Sequence, residues 1–178
     1  MGPEDVVGLA GMLSSCKMLH TLDLRDNNLQ RLTERQVNWA RFCDALSANR
    51  TLTSLNMNSN RLQAYGVGML SKALLACSSL RWLGLSYNEP GAEVPALASL
   101  LATHESLVCV ELVEELARHL PNRARDEIGR ALMESKVGKL GFLSCDMFNL
   151  DESTEVRRTP LTGIGAHIAG LLQPRRLS

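Results

Sequence analysis

A short phrase of alternating apolar and polar residues returns five times along this chain. It reads Leu19-His-Thr-Leu22-Asp-Leu24-Arg-Asp-Asn27-Asn-Leu29, then Leu52-Thr-Ser-Leu55-Asn-Met57-Asn-Ser-Asn60-Arg-Leu62, then Leu80-Arg-Trp-Leu83-Gly-Leu85-Ser-Tyr-Asn88. Two looser copies begin Leu107-Val-Cys-Val110-Glu-Leu112 and Leu140-Gly-Phe-Leu143-Ser-Cys145. Strict alternation over so few residues predicts a short strand with one buried face. The leading leucines stand at 19, 52, 80, 107 and 140, so the steps are 33, 28, 27 and 33 residues. A step of that length has room for a helix of several turns on the way back. Apolar residues at spacings of three and four supply it: Val67, Leu70, Leu74 and Leu75, then Val94, Leu97, Leu100 and Leu101, then Ile128, Leu132 and Met133. Val6, Leu9 and Leu13 predict an opening helix, and residues 163–172 a closing one.

The expected fold is therefore α/β: one right-handed solenoid over residues 1–178, with five to six repeats. Parallel strands line its concave face and helices its convex face. No unit can bury its own apolar side, so the core exists only through stacking. Insertions are expected near residues 30–36 and 116–123, and residues 173–178 read as a polar tail. Asn27, Asn60 and Asn88 close each strand where backbone groups turn inward and need partners. Their amides offer donors and acceptors for a structural ladder. Glu115 and Phe148 stand where the fourth and fifth units should carry Asn, with Asn149 one place late.

The phrase L-x-x-L-x-L-x-x-N-x-L is the signature of a leucine-rich repeat. With helix-length steps and Cys16, Asn49, Cys77 and His104 three residues before successive leading leucines, the chain resembles the ribonuclease-inhibitor class. That class also supplies the sensor regions of NOD-like receptors, the Ran GTPase-activating protein and tropomodulins. The resemblance runs from about Val6 to Leu172. It implies the fold and a habit of binding proteins on the concave face, and it selects no single activity.

Composition narrows the field. Lys+Arg and Asp+Glu both number 19, which removes any bulk-charge case for nucleic acid or an anionic membrane. Five cysteines without a C-x-x-C pair read as free thiols of a reducing, cytoplasmic compartment. No apolar run approaches the roughly 20 residues of a membrane span. Glu4 and Asp5 precede the first apolar stretch where a secretory signal would carry basic residues. Neither end shows a polar cap, so the chain reads as part of a longer protein or a larger complex.

No constellation for catalysis stands out. His104-Glu105 opens an H-E-x-x-H phrase, but Val108 occupies the second histidine's place. Gly66-x-Gly68 and Gly163-x-Gly165 do not continue into a phosphate loop. No cofactor, metal or catalytic residue is expected. The stronger signal is geometric, since residues beside the inward leucines point out of the sheet. Those positions are Thr21, Asp23 and Arg25; Ser54, Asn56 and Asn58; Trp82, Gly84 and Ser86; Cys109, Glu111 and Val113; Phe142, Ser144 and Asp146. Trp82, Tyr87, Phe142, Glu111, Asn56, Asn58, Asp23 and Arg25 are the expected contacts for a protein partner. Aromatic residues and Arg are common interface anchors. Gly84 is expected to leave a shallow pocket beside Trp82. Trp39 and Phe42 fit helix packing instead. The expected function is a non-catalytic protein-binding module or scaffold subunit. The alternatives are an activator of a small GTPase and a sensing fragment of a NOD-like receptor.

Overall fold

The computed structural model describes residues 3–112, 121–135 and 142–144. Five three-residue strands, β1 (Thr21–Asp23), β2 (Ser54–Asn56), β3 (Trp82–Gly84), β4 (Cys109–Glu111) and β5 (Phe142–Ser144), form one sheet in chain order. Every pairing is parallel and in the same register: Leu22 lies level with Leu55, Leu55 with Leu83, Leu83 with Val110, and Val110 with Leu143. Parallel neighbours need a long crossover, and each crossover here contains a helix. Helix α1 (Pro3–Ser15) precedes β1; α2 (Gln30–Thr33) and α3 (Gln36–Ala48) lead to β2; α4 (Gln63–Leu74) leads to β3. A 3₁₀ turn at Gly91–Glu93 runs into α5 (Val94–Thr103), and α6 (Asn122–Glu134) lies between β4 and β5. The helices pack in order, α1 on α3, α3 on α4, α4 on α5 and α5 on α6. This is an α/β repeat fold.

The core lies between the sheet and the helices. Leu22, Leu55, Leu83 and Val110 enter it from the strands, and Leu46, Leu70, Leu100 and Ile128 meet them from the helices. Each fully buried leucine of this kind contributes about 1.5–3 kcal/mol of transfer free energy. Trp39 and Phe42 join the same core, their ring centroids 5.3 Å apart, and the Trp39 indole N–H donates to the Gly66 carbonyl at 3.2 Å. Leu75, expected on the buried stripe, is exposed, because it stands about 100° round the helix from the buried Leu74. Gly66 permits close approach: a Cβ there would lie 2.5 Å from the Thr33 side chain of α2.

Each strand ends in a tight turn with a repeated backbone signature. The residues on both sides of the Asn are left-handed in all three units: Asp26 and Asn28, Ser59 and Arg61, Tyr87 and Glu89. This double reversal turns the Asn side chain inward. Asn60 Nδ2 donates to the carbonyls of Met57 (3.0 Å) and Asn58 (3.2 Å) in its own unit, and to Leu24 (2.8 Å) in the unit before. Asn88 repeats this with Leu85 (2.8 Å), Ser86 (3.1 Å) and Met57 (2.8 Å). The Asn60 Oδ1 accepts from the Asn27 N–H at 3.0 Å, and the Asn88 Oδ1 from the Leu62 N–H at 3.3 Å. The linkage thus runs from amide to neighbouring backbone, not from amide to amide. Asn27, in the first unit, bonds only the carbonyls of Leu24 and Arg25 through its amide and stays half-exposed.

The residue range 30–36 begins with the single turn of α2. Helix α6 carries the expected Ile128, Leu132 and Met133. Most of the expected insertion at 116–123 lies outside the described residues. So do Glu115, Phe148, Asn149, the closing helix at 163–172 and the tail at 173–178.

Candidate interaction face

Strand alternation puts the residues flanking each inward leucine on the sheet face turned away from the helices. No described element covers that face. Thr21 and Asp23 are exposed there; Ser54, Asn56, Trp82, Cys109 and Glu111 are half-buried. Tyr87 is 45% exposed in the turn after β3. β5 sets Phe142 level with Cys109 and Ser144 level with Glu111. The Phe142 side chain, Val113 and Asp146 lie outside the described residues.

Local turns hold the polar members in place. Asp23 Oδ1 accepts from the Arg25 N–H at 2.9 Å, and Asn56 Oδ1 from the Asn58 N–H at 3.1 Å. These are the same two-residue side-chain turns in successive units. Arg25 also lies 3.3 Å from the Asp26 carboxylate, in an exposed pair that adds little stability.

Two expectations for this face are corrected. Asn58, expected to point outward, is only 5% exposed. Its Oδ1 accepts from the Ser86 N–H at 2.8 Å, and its Nδ2 donates to Glu111 Oε2 at 2.9 Å. Ser86 is buried as well. The reason is Gly84. Asn56, Gly84 and Glu111 share one row across β2, β3 and β4, and the missing side chain in the middle lets groups two strands apart meet. The second correction follows, because the expected pocket beside Trp82 is already full. A Cβ on Gly84 would lie 2.8 Å from the Trp82 ring, 2.8 Å from Asn58 Oδ1 and 3.0 Å from Asn56 Oδ1. Trp82 therefore leans across Gly84, with part of its ring still open to solvent. The Asn58–Glu111 link was not legible in the sequence, because Asn58 stands two residues beyond the row of Asn56, Gly84 and Glu111.

Cys109 stands beside this group. Burial raises its thiol pKa and the Glu111 charge raises it further, while a hydrogen bond from the Trp82 side chain works the other way. Cys43 is buried in α3, where desolvation and then the Asp44 charge push its thiol up to about 12. Neither is an activated nucleophile. Among the described residues no three His, Cys, Asp or Glu side chains converge as a metal site. No described helix is long and apolar enough to cross a membrane.

Sequence reasoning noted Asn49, Cys77 and His104 by position but missed what they do. Asn49 Nδ2 donates to the Leu13 carbonyl at the end of α1 (2.8 Å), and its Oδ1 accepts from the Leu52 N–H at 2.7 Å. It ties the end of α1 to the entry of β2. His104 does the same one unit pair further along, with the Leu74 carbonyl at 3.1 Å and the Leu107 N–H at 3.0 Å. The Cys77 thiol reaches the Asn49 carbonyl at 3.7 Å.

A family model described as Leucine Rich repeat matches residues 15–30 and 48–71. No curated protein matches the chain. Among solved structures, "Leiomodin-1 Actin-Binding Site 2 (ABS2)" superposes with a TM-score of 0.63 at 16% identity, over 95% of this chain and 86% of that one. At that identity the likeness is one of fold.

Proposed function

We propose that this leucine-rich repeat chain is a non-catalytic module that binds a protein partner on the sheet face turned away from its helices. One observation carries the reading: that face is uncovered by any described element, and it presents the half-buried Trp82 and the Glu111 carboxylate, with Tyr87 exposed at its rim. Large aromatic rings already held in place lose little freedom on binding, which suits them as anchors. Glu111, Asn56, Asp23, Arg25 and Phe142 complete the proposed contact surface, with Asn58 as a support beneath it. We further read the chain as a curved, right-handed solenoid of the ribonuclease-inhibitor-like class. The return helices of 13, 12 and 10 residues in α3, α4 and α5 support that reading. The free cysteines among the described residues suit a reducing, cytoplasmic setting.

Actin is the partner to try first, because the leiomodin-1 region of similar fold is an actin-binding site. The chain and its Trp82→Ala variant are sedimented with actin filaments and, separately, tested against monomeric actin. Binding that weakens about 30-fold or more in the variant, the loss typical of an interface hot spot, supports both partner and face. Binding that is equal in the two moves the contact elsewhere. No binding to either form removes actin. The module reading then rests on cross-linked partners of the native protein, with Trp82→Ala again as the control. The thermal midpoint of the variant is measured alongside, since Trp82 also packs over Gly84.

A further inference from the structure

We propose that His104 makes the junction between the third and fourth units a proton-sensitive seam, which opens when the imidazole takes up a second proton. The argument begins with the donors and acceptors. The Leu107 N–H points at His104 Nδ1 at 3.0 Å, so that nitrogen must be the bare acceptor. The ring proton therefore sits on Nε2, which faces the carbonyls of Leu74 (3.1 Å) and Cys77 (3.2 Å). One neutral tautomer satisfies all three backbone groups. A second proton can go only onto Nδ1, where it would confront the Leu107 N–H, donor against donor. The ring is 4% exposed, so water cannot take over the bond without local opening.

The repeat contains its own control. Asn49 occupies the same position and makes the same tie, from Nδ2 to the Leu13 carbonyl and from the Leu52 N–H to Oδ1. An amide cannot titrate in this range. The junction between the first and second units is thus indifferent to protons, and the one at His104 is not.

The surroundings favour the neutral ring. Facing it from the end of α4 and the residues just after it are the two carbonyls of Leu74 and Cys77. From the entry to β4 comes the Leu107 N–H. Helix α5 carries no titratable side chain. Burial lowers the ring pKa below its ordinary 6.5, while the Cys77 and Leu74 carbonyls and the Glu105 charge pull it partly back. The neutral form is therefore the one the fold prefers. Its stabilisation is complete above the unfolded pKa of 6.5 and is lost as pH falls from there through the folded value.

The test is amide hydrogen exchange followed by NMR on the whole chain between pH 7.5 and 5.5, corrected for intrinsic rates. Leu52, held by Asn49, is the internal reference for Leu107, held by His104. Leu107 exchange is expected to accelerate relative to Leu52 by up to about tenfold per pH unit as pH falls from 6.5 towards the ring's folded pKa, the slope for uptake of one proton, and to level off below that value. His104→Asn should abolish that dependence, because asparagine already performs this task at position 49. Equal pH dependence in the wild type and in His104→Asn would overturn the proposal. The ring nitrogen shifts of the wild type give a second reading that does not depend on the variant folding. They should report the Nε2–H tautomer at pH 7.5. An imidazole that titrates while Leu107 stays protected would also overturn it.

Discussion

Asn60 and Asn27 hold the same place in successive units, yet their amides do different amounts of work. Asn60 is fully buried and its side chain satisfies three carbonyls and one N–H. Asn27 satisfies two carbonyls at a half-exposed edge. Removing a buried partner leaves unsatisfied groups at about 1–3 kcal/mol, so Asn60→Ala is expected to fall in that range. Asn27→Ala should cost clearly less, because water reaches the groups it leaves. Urea unfolding of both variants checks the ordering, and equal losses would mean that the inter-unit bonds contribute little. The register of these residues was legible in the sequence, since each follows its strand at a fixed distance. The environment of Asn58 was not. Its burial depends on Gly84, which is next to it in space and 26 residues away in the chain.

The turn is where an element departs from what its residue types prefer. Six non-glycine residues flank the Asn positions in left-handed conformation, and Gln63 follows with φ +57 at the start of α4. The left-handed region costs a side-chain-bearing residue roughly 1–2 kcal/mol. The third unit places Gly91, with φ +48, at the position equivalent to Gln63. Gln63→Gly keeps the bond from its N–H to the Asn88 carbonyl at 2.9 Å and removes that penalty. After the extra chain entropy of glycine, the variant is expected to gain about 0.5–1 kcal/mol, read as a higher denaturation midpoint. A loss would show that the glutamine side chain makes a compensating contact. Strands and helices were legible here because their periods differ, two against three to four. The left-handed turn was not, because none of the six flanking sites carries glycine, its usual sign.

At the scale of the molecule, one continuous core runs from α1 to α6, and the thiols report on it. Cys43 and Cys77 are buried with raised pKa values, while Cys16 and Cys109 are half-buried. A neutral thiol probe at pH 8 should modify Cys16 and Cys109 in the folded protein, Cys109 more slowly because its thiol pKa is raised. Cys43 and Cys77 should react only with the rate of opening, and mass spectrometry of peptides after timed labelling separates the sites. Fast modification of Cys43 in native buffer would contradict a closed core. The stacking order could be read from the phrase alone, because each unit needs its neighbour. Which side chains reach beyond the nearest neighbour could not. Repeat proteins are commonly treated as strings in which each unit senses only the next, so that units can be duplicated, exchanged or deleted like beads. The bond from Asn58 to Glu111 over Gly84 breaks that independence. The third unit acts as a spacer of fixed width between two units that recognise each other. Replacing it with a unit that carries any larger residue at Gly84 would disturb both neighbours, even if the inserted unit were sound by itself.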